Sequence, residues 1–123
     1  MPVAYGEDVC AFCKMTIMDK RFSCQLQTHK GKTYKFDDLF CLLQFSVFEI
    51  IDTSDIAQVY VSDFSTGTFI ESTQAQFLFN PAFRTPMEGN IAAFATMEVL
   101  HSVHSEKGGE IINWQEVLRK IEL

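Results

Sequence analysis

The stretch FSCQLQTHKGKTYKF, residues 22–36, decides the fold. Its first half alternates apolar and polar side chains, which is the period of a half-buried β-strand. Lys30-Gly31-Lys32 then supplies a turn, and extended structure resumes at residues 33–36. The stretch therefore predicts a β-hairpin.

A helix is predicted directly after this hairpin. Asp37 and Asp38 can cap it, and residues 39–51 carry apolar side chains at helical spacing. The apolar face is wide enough to predict burial on more than one side. The elements that follow are a strand over residues 56–62, a turn over residues 63–67 and further extended residues 68–70.

The second half of the chain repeats this plan. It predicts strands over residues 76–79 and 90–94, a loop over 80–89, a helix over 96–107 stopped by Gly108-Gly109, and a strand over 110–113. Asn113 and Glu116 resemble the capping box of a short final helix. We therefore expect an α+β fold of two similar ββαβ units with a short C-terminal helix. Residues 1–123 are expected to form a single domain, with residues 1–9 as an irregular lead-in.

Composition excludes several classes of protein. The 123 residues are 47% hydrophobic and include twelve Phe, so the chain can bury a core without disulfide staples. The net charge of −6 argues against a nucleic-acid partner, whose phosphates require a basic surface. No apolar run reaches the length of a membrane span, and residues 1–8 lack the basic and apolar regions of a signal peptide.

Residues 10–18, CAFCKMTIM, hold two thiols and two thioethers. Thiolate and thioether are soft ligands, and a site that mixes them favours Cu(I). The stretch has no clean periodicity, so we expect an exposed loop that runs into a short strand. Cys10, Cys13 and Met15 are the local candidate ligands. Met87, in the Pro-containing loop, is the best distant donor.

Other sulfur and titratable residues have simpler interpretations. Cys24 and Cys41 lie on the apolar faces of a predicted strand and helix, where free cysteines are usually buried packing residues. Met18 is expected to be a packing residue and not a ligand. Asp37 and Asp38 are expected to cap the helix, with metal entry or partner contact as their alternative role. Solvated surfaces are expected for His29, His101 and His104, with a neutral imidazole such as that of His29 as an alternative third or fourth ligand of Cu(I). A disulfide or a structural zinc site at the Cys10–Cys13 pair also remains open.

The order of motifs resembles the NosL family of copper-binding accessory lipoproteins. The matching segments are Cys10-x-x-Cys13-x-Met15, residues 32–38, residues 59–64, Pro86-Met87 before residues 91–94, Gly108-Gly109 and Trp114. The resemblance implies two ββαβ units, as in organomercurial lyase. It also matches Cys13 and Met15 to the family's Cys-Gly-Met core, Cys10 to its upstream Cys and Met87 to its Pro-Met-Gly loop. Lys14 and Glu88 depart from the glycines of those two motifs.

The resemblance implies a Cu(I) metallochaperone of the periplasm or cell envelope, not an enzyme. Its partners would be a copper donor and a copper-accepting enzyme such as nitrous oxide reductase, in denitrification. The implied full-length protein is a lipoprotein whose contact with the membrane is a lipid anchor. The alternative is a thiol-dependent enzyme, either a thiol-disulfide oxidoreductase or one of the organomercurial lyase type, with Cys10 or Cys13 as nucleophile. Met15 and Met87 separate the two hypotheses, because a thiol enzyme has no use for thioethers.

Overall fold

The structure is a computed structural model that describes residues 3–47, 56–81, 83 and 90–121. It has the predicted α+β architecture, with two antiparallel sheets and three helices among these residues. The strands are β1 (Cys24–Thr28), β2 (Thr33–Phe36), β3 (Ile56–Ser62), β4 (Phe69–Glu71), β5 (Gln76–Phe79), β6 (Ile91–Phe94) and β7 (Glu110–Ile112). The helices are α1 (Leu39–Val47), α2 (Met97–Lys107) and α3 (Trp114–Ile121).

The first sheet contains the predicted hairpin. β1 pairs antiparallel with β2, which places Cys24 opposite Phe36, and pairs with β3 on its other side. The strand order is β2-β1-β3-β4, so β2 lies at one edge. α1 therefore crosses from the edge strand over β1 to β3.

The second sheet repeats this topology in the order β6-β5-β7. α2 connects β6 to β7 across β5, as α1 connects β2 to β3 across β1. The two ββαβ units predicted from the sequence are therefore confirmed, with β4 as an addition to the first. Asp63 and Ala93 form a parallel bridge between the units, and the Phe64 N–H donates to the Ala93 carbonyl over 2.7 Å.

The predicted signals at helix ends are present. The Thr96 hydroxyl accepts a hydrogen bond from the Val99 N–H at the start of α2, and Gly108 ends that helix with a φ of 75°. Asn113 and Glu116 exchange side-chain to backbone hydrogen bonds of 2.9 and 3.3 Å, so the capping box of α3 is confirmed.

The core draws side chains from both sheets. Its fully buried members include Leu26, Phe36, Leu42, Phe77 and Val117. Cys24 is 1% exposed in the same core, as predicted. A smaller cluster under α2 contains Phe22, Leu78, Phe83, Ala92, Phe94 and Leu100. Among the described residues, every helix is too short or too polar to cross a membrane.

Candidate metal centre

Residues 10–15 form a tight loop beside β2. Its ends are held by an antiparallel bridge between Val9 and Thr16 and by the Cys10 N–H, which donates to the Met15 carbonyl over 2.8 Å. Ala11 attaches the loop to the sheet, because its N–H donates to the Lys35 carbonyl over 2.8 Å. The first strand begins only at residue 24. The strand into which the loop was expected to run therefore begins only after a turn over residues 20–22.

The loop is also less exposed than its sequence predicts. Cys10 and Ile17 are fully buried, while Met15 is 53% exposed. The neighbouring hydrogen bonds explain the difference, since Asp8 and Ile17 also pair through the Ile17 N–H and the Asp8 carbonyl. This backbone pairing turns Cys10 towards the protein and leaves the outer part of the loop in solvent.

Lys14 takes an unusual backbone conformation at the tip of this loop. Its φ is 67°, in the left-handed region that favours glycine. Its ammonium group donates a hydrogen bond to the Ala11 carbonyl over 2.8 Å. Lys14 therefore occupies a turn position that would suit glycine. Its side chain provides a hydrogen-bond donor for the Ala11 carbonyl.

The junction between β2 and α1 supplies the other half of the site. Asp38 caps the helix, because its carboxylate accepts a hydrogen bond from the Phe40 N–H over 3.1 Å. The prediction that Asp37 is also a cap is wrong. Its two carboxylate oxygens instead accept from the Cys13 thiol at 3.4 and 3.5 Å.

Four side chains converge where the loop meets this junction. The sulfur atoms of Cys10, Cys13 and Cys41 and a carboxylate oxygen of Asp37 all lie within 4.8 Å of one another. Metal–sulfur bonds are about 2.3 Å long, so two sulfurs sharing one ion lie about 3.8 Å apart in tetrahedral geometry and about 4.6 Å apart in linear geometry. The donor atoms therefore need only small movements to bind a single ion.

Burial divides the cluster into an inner and an outer part. Cys10 and Cys41 are fully buried and Asp37 is 2% exposed, whereas Cys13 is partly exposed. Solvent and partners therefore reach the cluster through Cys13. The exposed side chain of Met15 follows two residues later in the same loop.

The three thiols differ strongly in acidity. The Cys41 thiol donates to the Cys10 sulfur and, with backbone N–H groups of the loop and of Asp37, lowers the pKa of Cys10 to about 6 against the effect of burial. Burial raises the pKa of Cys13 to about 11, and the neighbouring Cys10 thiolate acts in the same direction. The hydrogen bond to Cys10 and burial raise the pKa of Cys41 well above its ordinary value. The resting cluster therefore carries one thiolate, on Cys10.

The other candidate residues lie apart from this cluster or outside the described chain. Met87 lies outside the described residues. Met18 is 69% exposed, so its predicted packing role is wrong. His29 and His101 are exposed, as predicted, whereas His104 is half-buried. Across the described residues, the cluster of three or more potential His, Cys, Asp or Glu ligands contains no histidine.

Sequence reasoning missed Cys41 as a member of the site and gave Asp37 only an alternative role in metal entry or partner contact. Cys41 follows the helical apolar pattern, and a buried free cysteine is ordinarily a packing residue. The sequence did contain one usable signal of this part of the site. Asp37 and Cys41 lie on either side of the start of a helix that follows an edge strand. Nothing local in the sequence shows that the Cys10–Cys13 loop folds over that junction.

A buried thiolate with two further thiols and a carboxylate defines a site suited to a soft metal ion. The chain belongs to the NosL family, which it matches over residues 3–121, as the resemblance predicted. A similar fold is seen in the crystal structure of the copper chaperone NosL from Shewanella denitrificans, at a TM-score of 0.77 and 20% identity, over 94% of each chain. A comparison with curated proteins gives no match.

Proposed function

We propose that this protein is a metallochaperone that binds Cu(I) and passes it to a copper enzyme. The observation that carries the proposal is the convergence of three cysteine sulfurs within 4.8 Å, with one of them, Cys13, partly exposed. Soft thiolates select Cu(I) over hard cations. A carrier needs such an accessible sulfur, because the incoming donor must bind the ion before the last protein ligand leaves.

Cys10, Cys13, Met15 and Met87 are the proposed ligands. The exposure of Met15 supports a role at the surface, where a thioether can bind the ion during exchange. Met87 is proposed as a ligand because it matches the methionine of the family's Pro-Met-Gly loop. The thiolate on Cys10 is ready to bind a metal without losing a proton, since its pKa is about 6.

We further propose the periplasm or cell envelope as the location, with a lipid anchor in the full-length protein. Membership of the NosL family supports this, as does the fold shared with a protein described as a copper chaperone. The proposed partners are a copper donor and an acceptor such as nitrous oxide reductase. The net charge of −6 favours an acceptor with a basic docking surface and disfavours nucleic acid.

The test is an anaerobic titration of the reduced protein with Cu(I) against a competing chelator. We expect one tight equivalent in the parent and at least a 100-fold loss of affinity in the double variant Cys10→Ser/Cys13→Ser. Cys24→Ser is the matched control, because it removes a buried thiol that lies outside the cluster. Equal affinity in the parent and the double variant would reject the proposal.

The thioethers are tested by the rate at which bound Cu(I) moves to an acceptor chelator. We expect the double variant Met15→Leu/Met87→Leu to slow transfer by about tenfold or more, because the proposed thioether donors bind the ion during exchange. Met18→Leu is the control, since Met18 is an exposed thioether of the same segment that is not a proposed ligand. Unchanged transfer in the double variant would remove both methionines from the ligand set.

A second candidate function is thiol-dependent catalysis, of the thiol-disulfide oxidoreductase or organomercurial lyase type. The position of Asp37 favours it, because a carboxylate at 3.4 Å from the Cys13 thiol can accept its proton as the sulfur attacks. Turnover of a model disulfide and of an organomercurial should then fall at least tenfold in Asp37→Asn and be unchanged in Met15→Leu. The absence of turnover by the parent would exclude it.

A further inference from the structure

We infer that Cys41 is a further copper ligand, and that it closes an interior position for Cu(I) with Cys10 and Cys13. In this position the thiolate of Cys41 replaces the thioether donors proposed above. The inference rests on the proposed Cu(I) function and deepens it, since it assigns a resting position to the ion and a route by which the ion leaves.

The fold fixes Cys41 in place. It is the third residue of α1, whose first turn is capped by Asp38, and it follows the buried end of β2 at Phe36. The side chain of Cys41 is fully buried at this point, with its sulfur within 4.8 Å of the Cys10 sulfur. Its position beside Cys10 is therefore a property of the scaffold.

Cys24 provides an internal comparison. It is as buried as Cys41, at 1% exposure, but it packs with apolar side chains such as Leu39, Val61 and Phe77 around a small cavity between the sheets. Cys41 instead lies within 4.8 Å of two other sulfurs and a carboxylate. Burial alone does not separate the two residues, whereas the surrounding donors do.

Exposure falls steadily from the surface to Cys41. Met15 is 53% exposed, Cys13 is partly exposed, and Cys10 and Cys41 are fully buried. An ion bound first by Cys10, Cys13 and Met15 can therefore gain Cys41 as it moves inward and lose Met15. Copper stays Cu(I) in this exchange: one copper–sulfur bond forms, one breaks, and the displaced Cys41 proton passes to solvent by way of the Asp37 carboxylate, which lies within 4.8 Å.

The donor chemistry matches this arrangement. Cu(I) prefers sulfur to oxygen, so three thiolates satisfy it and the hard oxygen of Asp37 is not needed as a ligand. The contacts of 3.4 and 3.5 Å between Asp37 and the Cys13 thiol then make Asp37 a positioning residue that keeps Cys13 turned towards the cluster.

The experiment counts the sulfur neighbours of bound Cu(I) by X-ray absorption in a background without the candidate thioethers, Met15→Leu/Met87→Leu. We expect three sulfurs in this background and two when Cys41→Ser is added, with at least a tenfold lower affinity in the chelator titration. Adding Cys24→Ser to the same background is the matched control and should leave three sulfurs.

The outcomes separate this inference from the proposed function. If the parent protein fails to bind Cu(I), the proposed function fails. If the parent binds but the thioether-free background already shows two sulfurs, or Cys41→Ser changes neither count nor affinity, only the role of Cys41 is overturned. The background measurement does not alter Cys41, so a folding defect in Cys41→Ser still leaves the inference tested.

Discussion

The two units of this protein have similar junctions between an edge strand and the helix that follows it. In the first unit, β2 ends at the buried Phe36 and Asp38 caps α1. In the second, β6 ends at the equally buried Phe94 and Thr96 caps α2. Each junction thus has a buried phenylalanine followed, two residues later, by a polar cap.

The residues between these shared features differ sharply. Asp37 is 2% exposed because the Cys10–Met15 loop lies over it, whereas its counterpart Ala95 is exposed. Cys41 in α1 corresponds in the same way to Val99 in α2. All four cysteines lie between residues 10 and 41. The comparison teaches that the repeated scaffold supplies the junction, and that an added loop turns one of the two into a candidate metal centre.

Cys10→Ser is expected to have the largest effect on the candidate metal centre at the first junction. Because it removes the thiolate of the cluster, we expect Cu(I) affinity to fall by about 100-fold or more, which corresponds to about 2.7 kcal/mol. The reciprocal variant Ala95→Asp/Val99→Cys should bind no additional copper, because the chain's own cysteines all lie between residues 10 and 41 and the new thiol would have none of them as a partner at the second junction. A chelator titration measures both, and a second tight equivalent in the reciprocal variant would contradict this account.

The pH dependence of stability tests the charge on the first junction. Between about pH 6 and about pH 8.5, the ordinary pKa of a cysteine, Cys10 is a thiolate in the folded protein and a thiol in the unfolded chain. The unfolded chain then binds more protons, so stability should rise with pH by up to about 1.4 kcal/mol per unit.

Above that range the sign reverses. Cys13 and Cys41 have raised pKa values, so they keep protons in the folded protein that the unfolded chain loses, and stability should fall. Urea unfolding of the reduced, metal-free protein across pH 6 to 10 measures the effect. Cys10→Ser should lack the rising limb, and a parent profile as flat as that of this variant would refute the assignment of the thiolate.

Substitution of the two helix caps compares how much each junction contributes to the free energy of unfolding. Asp38→Ala should cost about 1–2 kcal/mol and Thr96→Ala about 0.5–1 kcal/mol, because Asp38 is buried and Thr96 is exposed. Urea unfolding measures both. A larger cost at Thr96 would mean that the loop, not the cap, holds the first junction together.

The smallest expected effect concerns backbone strain at the loop. Lys14→Gly should stabilise the protein by about 0.5 kcal/mol, since glycine relieves the φ of 67° but loses the hydrogen bond to Ala11. Asn90→Gly, at a φ of 59° before β6, is the matched control and should gain less, because asparagine tolerates this conformation. Destabilisation by Lys14→Gly would show that the Lys14 hydrogen bond outweighs the strain.

Much of the fold could be predicted because its signals are local. The alternation before the Lys30-Gly31-Lys32 turn, the strand Ile56–Ser62 and the capping box of Asn113 and Glu116 each depend on residues close together in the chain. The structure confirms all three. Periodicity and capping act over a few residues, and a single sequence records them well.

The site was only partly predictable because it depends on distant residues. Cys10 and Cys13 stand out by their spacing, but Cys41 joins them from about thirty residues away, and on its helix it looks like a packing residue. The two adjacent aspartates gave no sign of which one caps and which one faces the thiols. Long-range folding of the loop decided these roles, and it also left Met18 in solvent.

The attachment of the loop to β2 has one more consequence. β2 is an edge strand, and an uncovered edge offers backbone groups to which another chain can add. The Ala11 N–H donates to the Lys35 carbonyl, and the Lys35 ammonium pairs at 2.9 Å with Asp8, just before the loop. The loop and the residues before it therefore shield this edge. Removal of the loop should therefore promote aggregation through strand addition as well as loss of copper, which links metal handling to the solubility of the protein.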